Sequence, residues 1–202
     1  MKKVLTEFIG TFFLVAGAAL GGGVGAALAL MIMVYAGGHI SGAHYNPAVS
    51  LAVWIRGKLT TADLLSYWMS QLAGCIAAAL IVANLFGAEG PGACAIPDDG
   101  IVKGLFAELF GTFALAYVVL NVATAKGTAG NSFYGIAIGG TVLAMATVVG
   151  KFSGGAFNPA VAIGLILQKT FCWSQIWVYL VGNLAGASLA AFVFKVNNPD
   201  DK

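Results

Sequence analysis

Ser41-Gly42-Ala43-His44-Tyr45-Asn46-Pro47-Ala48-Val49 recurs one half-chain later as Ser153-Gly154-Gly155-Ala156-Phe157-Asn158-Pro159-Ala160-Val161. Each copy joins a glycine-bearing stretch to a helix start. Asn is a favoured N-cap, and Pro suits the first helical residue because its missing N–H would be unpaired there. The apolar segments that follow, Asn46–Ile55 and Asn158–Gln168, are too short to cross a bilayer, which takes about 20 residues. One such segment alone reads equally well as the extension of a neighbouring span. Two, at the same place in each half, read as re-entrant half-helices, because non-helical backbone at membrane depth survives only inside protein or beside a wet cavity.

The surrounding sequence supplies the spans. Of 202 residues, 59% are hydrophobic and 9% charged, against about a quarter charged in soluble domains. Lipid must therefore act as solvent for much of the surface. No Asp, Glu, Lys or Arg stands between Phe8 and Ile55, a run far longer than the apolar core of a signal peptide. Six spans are expected: Val4–Leu20, Val24–Gly38, Leu64–Phe86, and about 103–124, 131–150 and 173–194. Gly21-Gly22-Gly23 is the only break between the first two, so their turn is very tight. Gly87–Asp99, rich in Gly, Pro and Asp, reads as a solvent loop.

Several function classes are disfavoured. The net charge is +2 and no Lys/Arg run exists to grip a nucleic acid. Cys75, Cys94 and Cys172 read as too few and too scattered for a disulfide framework or a metal site. His39 and His44 lack the partners a zinc site needs. No nucleophile–base pair stands out, which argues against an enzyme, and no cofactor motif is found. With the amino terminus inside, Lys2, Lys3, Arg56, Lys58, Lys126, Lys195 and Lys202 are cytoplasmic, while Lys103, Lys151 and Lys169 are outside. This bias places both termini in the cytoplasm.

The halves match at two further places. Glu7-Phe8-Ile9-Gly10-Thr11-Phe12 resembles Glu108-Leu109-Phe110-Gly111-Thr112-Phe113, and Gln71-Leu72-Ala73-Gly74 resembles Asn183-Leu184-Ala185-Gly186. The chain is thus one channel domain, 1–202, with repeats at about 1–86 and 103–195 joined by a loop over 87–102. Three spans per half is an odd number, so the second copy inserts upside down, and inverted repeats put their site at the midplane. There the positive ends of the two half-helix dipoles converge and oppose cations. Amides of Asn46 and Asn158 facing a lumen would offer donors, and the carbonyls of Gly42, Ala43, His44, Ala156 and Phe157 acceptors, to a neutral solute. Glu7 and Glu108 lie inside apolar helices, where an ionisable group signals function. Their equivalent positions favour bracing of the loops over transport. His39 reads as a further loop brace, with a pH gate as the alternative.

Gly38-His39-Ile40-Ser41-Gly42-Ala43-His44-Tyr45-Asn46-Pro47-Ala48-Val49 resembles the first signature loop of the aquaporins (the major intrinsic protein family), and the resemblance covers essentially the whole chain. It implies an all-α membrane fold of six transmembrane helices and two re-entrant half-helices. It also implies a homotetramer in the lipid bilayer of a cytoplasmic membrane, with a pore in each subunit for water or small neutral solutes. The pore centre would be Asn46, Pro47, Ala48, Asn158, Pro159 and Ala160. The chain departs from the family at the outer filter. Val161 stands where an Arg is usual, and the remaining filter positions fall on Ala26, Ala146 and Gly155. A filter so small and uncharged predicts a wide pore, as in some plant vacuolar members. The glycerol-channel Asp after the filter residue is replaced by Ala162, and Tyr179-Leu180 matches neither subclass cleanly. A solute facilitator that conducts water poorly and a non-conducting scaffold are the alternatives.

Overall fold

The computed structural model describes residues 1–90 and 92–201. Helices and helical turns make up all of its regular structure, with no strand among the described residues. The first helix, α1 (Lys2–Ser41), is 40 residues long and folds back on itself at Gly22, where φ is 57° and ψ −147°. That conformation is open to glycine and closed to residues with a Cβ. The two arms then run antiparallel in close contact. A Cβ built on Gly17 would fall 2.6 Å from the Gly25 carbonyl oxygen, and one on Gly37 2.6 Å from Thr6 Cγ2. The tight turn expected at Gly21–Gly23 is a one-residue bend.

The helices that follow are α2 (Pro47–Arg56), α3 (Thr61–Phe86), α4 (Ile101–Val119), α5 (Tyr134–Val148), α6 (Pro159–Leu167) and α7 (Ile176–Asn197). The two arms of α1 with α3, α4, α5 and α7 make six membrane-crossing helices, and α2 and α6 are the two short ones. α4 continues as a wider helical turn through Leu120–Thr124. α5 starts later than the expected residue 131 because Asn131 is spent on the loop. Its Nδ2 donates to the Val122 and Thr128 carbonyls (2.7 and 2.6 Å), and its Oδ1 accepts from the Phe133 N–H.

Polarity is arranged inside out. Phe106, Phe110 and Phe192 are each more than half exposed, whereas Glu7, Glu108, Gln71 and Asn183 are fully buried. Apolar side chains facing outward suit a lipid solvent, and buried polar groups must then find partners within the protein. α4 and α7 pack closely through Gly182 and Gly186, where a Cβ would meet α4 backbone. At Gly10 and Gly111 the arriving group is instead an aromatic ring. The Tyr45 and Phe157 rings occupy the space a Cβ would need, one in each repeat.

The cysteine reading requires correction. Cys94 and Cys172, 78 residues apart, form a disulfide with Cα atoms 5.0 Å apart, and Cys75 is free and buried. Spacing along the chain gave no sign of the pair. It exists because the segment after α3 folds over the segment after α6, with Gly90 and Gly92 N–H groups donating to the Gln168 and Lys169 carbonyls (2.7 and 2.9 Å).

Candidate pore site

The loops that feed α2 and α6 are built alike, from the backbone upward. Gly42, Ala43 and Tyr45 take φ of 86°, 53° and 50°, and Gly154, Gly155 and Phe157 take 87°, 69° and 49°. For Ala43, Tyr45 and Phe157 this left-handed geometry costs about 1 kcal/mol or more each and persists only where the surroundings enforce it. A buried carboxylate enforces it in each half. Glu7 Oε1 accepts from Ser41 Oγ (2.7 Å) and the His44 N–H (2.9 Å), and Oε2 accepts from the Tyr45 N–H (2.7 Å) and Gln71 Nε2 (2.8 Å). Glu108 Oε1 accepts from Ser153 Oγ (2.6 Å) and the Ala156 N–H (2.9 Å), and Oε2 accepts from the Phe157 N–H (2.7 Å). Tyr67 and Tyr179 complete the frames, each hydroxyl donating at 2.6 Å to the carbonyl of Ser41 or Ser153. All these partners are donors, so the oxygens of both side chains act as acceptors.

The two helix starts meet. Asn46 Oδ1 caps α2 by accepting from the Ala48 and Val49 N–H groups (2.8 and 3.4 Å), and Asn158 Oδ1 caps α6 likewise (2.9 and 3.4 Å). Each side-chain amide then crosses to the other repeat. Asn46 Nδ2 donates to the Phe157 carbonyl (2.9 Å), and Asn158 Nδ2 donates to the Tyr45 carbonyl (3.0 Å). An amide carries two N–H donors, so one hydrogen on each Asn remains. Both asparagines line a shared cavity of about 270 Å³.

The cavity sorts the expected residues. Ala43, His44, Ala156, Ala26, Gly155 and Val161 line it. His44 also lines a second, wider cavity of about 730 Å³ with Gly42, Lys58, Asp63 and Tyr67, so the two spaces adjoin at its ring. Ala48 and Ala160 are buried behind the helix starts and do not line the main cavity, and the Pro47 carbonyl accepts from Trp68 Nε1 (3.0 Å). Pro159, the first residue of α6, is also buried.

Of three further expectations, two fail on geometry. Ala146 does not line the cavity. It lies against the bend of α1, where a Cβ on Gly23 would come within 2.8 Å of its own, and α5 presents Ile138 and Val142 to the cavity instead. The Phe157 carbonyl accepts from Asn46 and its ring packs against Gly111, which leaves one of the carbonyl's two lone pairs uncommitted. His39 makes no hydrogen bond among the described residues. α1 stays helical through Ser41, so position 39 is on an exposed helical face and the bracing falls to Glu7 and Ser41. Sequence reasoning also missed Ala95, Thr170 and Phe171, which line the cavity from the loops joined by the disulfide. Two of them adjoin Cys94 and Cys172, the only signal that would have found them.

Helices that cross a bilayer, with two short helices meeting start to start on one internal cavity, define a multi-pass integral membrane protein with re-entrant segments. Residues 19–194 match the family described as Major intrinsic protein. Among relatives, "Glycerol uptake facilitator protein-like 6" of Lactiplantibacillus plantarum is 35% identical over the full length of both chains. "Aquaporin AqpM" of Methanothermobacter thermautotrophicus is 32% identical, with 96% of each chain covered. The X-ray structure of the aquaglyceroporin from Plasmodium falciparum superposes with a TM-score of 0.75 at 19% identity, covering 98% of this chain and 97% of that one. The chain belongs to the major intrinsic protein family.

Proposed function

We propose that this chain is a passive channel for water and small uncharged solutes, with loose size selection at its outer end. One observation carries the reading: Asn46 and Asn158 cap two facing half-helices and line one cavity. Helix starts bring partial positive charge, and two of them facing each other disfavour a cation at the meeting point. The spare amide hydrogens suit a neutral oxygen atom. Val161 brings no cation to the filter, so charge exclusion rests on the half-helices, and the small Ala26 and Gly155 leave room for more than water. The relatives named for glycerol uptake and as aquaporins support both kinds of permeant.

The basic residues put the termini and the mouth beside α2 on the cytoplasmic side. The Cys94–Cys172 disulfide supports this orientation independently, since such bonds persist on the oxidising side of a membrane. A cytoplasmic membrane and a homotetramer, with a pore in each subunit, complete the proposal. Leu14, Leu30, Ile138 and Val142 make much of the lining apolar. That favours a second reading, a facilitator that passes small solutes better than water.

Stopped-flow light scattering on proteoliposomes, stepped in sucrose and then in glycerol, tests both. Water and glycerol permeability above empty liposomes is the expected result, and glycerol without water selects the second reading. Permeability at the empty-liposome level for every solute would refute the channel. Val161→Arg should depress glycerol more than water.

A further inference from the structure

Two loops knotted together contribute to the cavity wall, residues 87–90 with 92–100 and residues 168–175. Besides the Gly90 and Gly92 bonds, Gln175 clasps the Ile96 backbone from both sides. Its Nε2 donates to the Ile96 carbonyl (2.6 Å) and its Oε1 accepts from the Ile96 N–H (3.3 Å). Lys169 pairs with Glu89 at 2.8 Å. The Cys94–Cys172 disulfide ties the two loops covalently.

Three residues reach the cavity wall from this knot, Thr170 and two that each sit next to a half-cystine: Ala95 beside Cys94, Phe171 beside Cys172. The Phe171 ring is held by two neighbours. It stacks on Tyr179 with centroids 4.8 Å apart and planes 8° from parallel. A Cβ built on Gly154 would fall 2.5 Å from its Cε1 and 3.4 Å from Ala95 Cβ. Tyr179 is itself pinned to the Ser153 carbonyl. The ring therefore adjoins Gly154, in a cavity wall to which Ala26, Gly155 and Val161 bring only small side chains.

We infer that Phe171, with Ala95, sets the size limit of the outer mouth, and that the Cys94–Cys172 disulfide holds the ring in the bore. The inference rests on the channel reading above. It assigns size selection to a loop aromatic stapled from outside, in place of a filter side chain on the helices. A dithiol reductant would open the staple by giving two electrons and two protons to the S–S bond. Two protein thiols form and the reductant closes to its own cyclic disulfide, which lets the 168–175 loop relax from the mouth.

The test measures the ratio of glycerol to water permeability in proteoliposomes for four preparations: oxidised wild type, Phe171→Ala, Phe171→Leu, and wild type reduced by dithiothreitol with thiol titration to show two additional free thiols. Phe171→Ala should raise the ratio by about threefold or more, as an emptied constriction admits the larger solute. Phe171→Leu and the reduced protein should raise it less. The Leu variant and the reduced wild type carry the test should the Ala variant not fold. A working channel whose ratio stays the same in all the preparations that fold overturns the inference and leaves the channel reading standing. A wild type at the empty-liposome level for both solutes overturns both. A ratio that changes with the substitutions but not on reduction overturns the role given to the disulfide.

Discussion

The two half-helix loops share a backbone and a carboxylate brace, yet their second layers differ in kind. Around Glu7 the layer is polar. Gln71 Nε2 reaches both Glu7 and Ser50 Oγ (2.8 and 3.0 Å), and His44 Nδ1 shares a hydrogen bond with the same Ser50 hydroxyl (3.1 Å). At the matching places around Glu108 stand Ala156, Ala162 and Asn183. Asn183, one methylene shorter, accepts from Thr112 Oγ1 (2.9 Å), and its Nδ2 reaches no acceptor within hydrogen-bond geometry among the described residues. The first mouth is organised by a side-chain network within the membrane. The second is organised from outside it, by a disulfide and the loops it joins. Two inverted copies of one unit can thus keep the midplane geometry identical while the means of holding each mouth diverges.

The fastenings beyond the half-helices differ as well. α2 ends in Arg56, whose buried guanidinium pairs with Asp201 at 2.6 Å and lies 4.6 Å over the Phe194 ring. Asp201 also accepts from the Lys126 N–H (2.7 Å), so the carboxy-terminal tail fastens α2 to the segment before α5. At the other mouth the ion pair Lys169–Glu89 is exposed, and the disulfide supplies the permanent link.

The sharpest way to break the comparison is to remove each carboxylate. Glu7→Ala strands four donors and Glu108→Ala three. With each buried orphan costing about 1–3 kcal/mol, both variants should lose on the order of 3 kcal/mol or more, and Glu7→Ala should lose the more. Thermal unfolding in detergent measures it, and equal losses would mean that Gln71 adds nothing to the brace. Next in size is the pair Gln71→Ala and Asn183→Ala. Gln71 makes two of the bonds in its layer and Asn183 one, so the expected losses are about 2 and about 1 kcal/mol. A reversed order would show that the polar layer is decoration.

The third prediction concerns pH. The Lys126 amide first, and the Arg56 guanidinium beside it, hold the Asp201 carboxyl below the ordinary aspartate range. A group depressed in the folded state stabilises above its unfolded value and loses that contribution as pH falls through the folded one. The tail should therefore stay protected at neutral pH and loosen only in acid below the usual aspartate range, read by hydrogen exchange over residues 198–201. Asp201→Asn should exchange fast at every pH. The smallest effect is expected from Lys169→Ala, which removes an exposed pair and should shift stability by about 0.5 kcal/mol or less. A larger loss would mean that the ion pair, and not the disulfide, closes the outer mouth.

What the sequence determined by itself was local or counted in residues. Asn-Pro starts a helix because of what the Asn side chain accepts and what the Pro nitrogen lacks. Apolar lengths set the spans, and Gly21-Gly22-Gly23 set the bend. The repeated Glu signalled equivalent buried groups, and the structure gives both a seryl hydroxyl and two loop N–H donors, with Gln71 in addition at Glu7. Tertiary structure alone decided which atoms converge. Val142 and Ala146 are four residues apart on one face of α5, so their position along the helix decides that Val142 lines the cavity while Ala146 meets the bend of α1. The crossed amides of Asn46 and Asn158, the pairing of Cys94 with Cys172 and the placing of Phe171 in the mouth join segments far apart in the chain. No local pattern encodes such contacts, because they depend on how the helices pack.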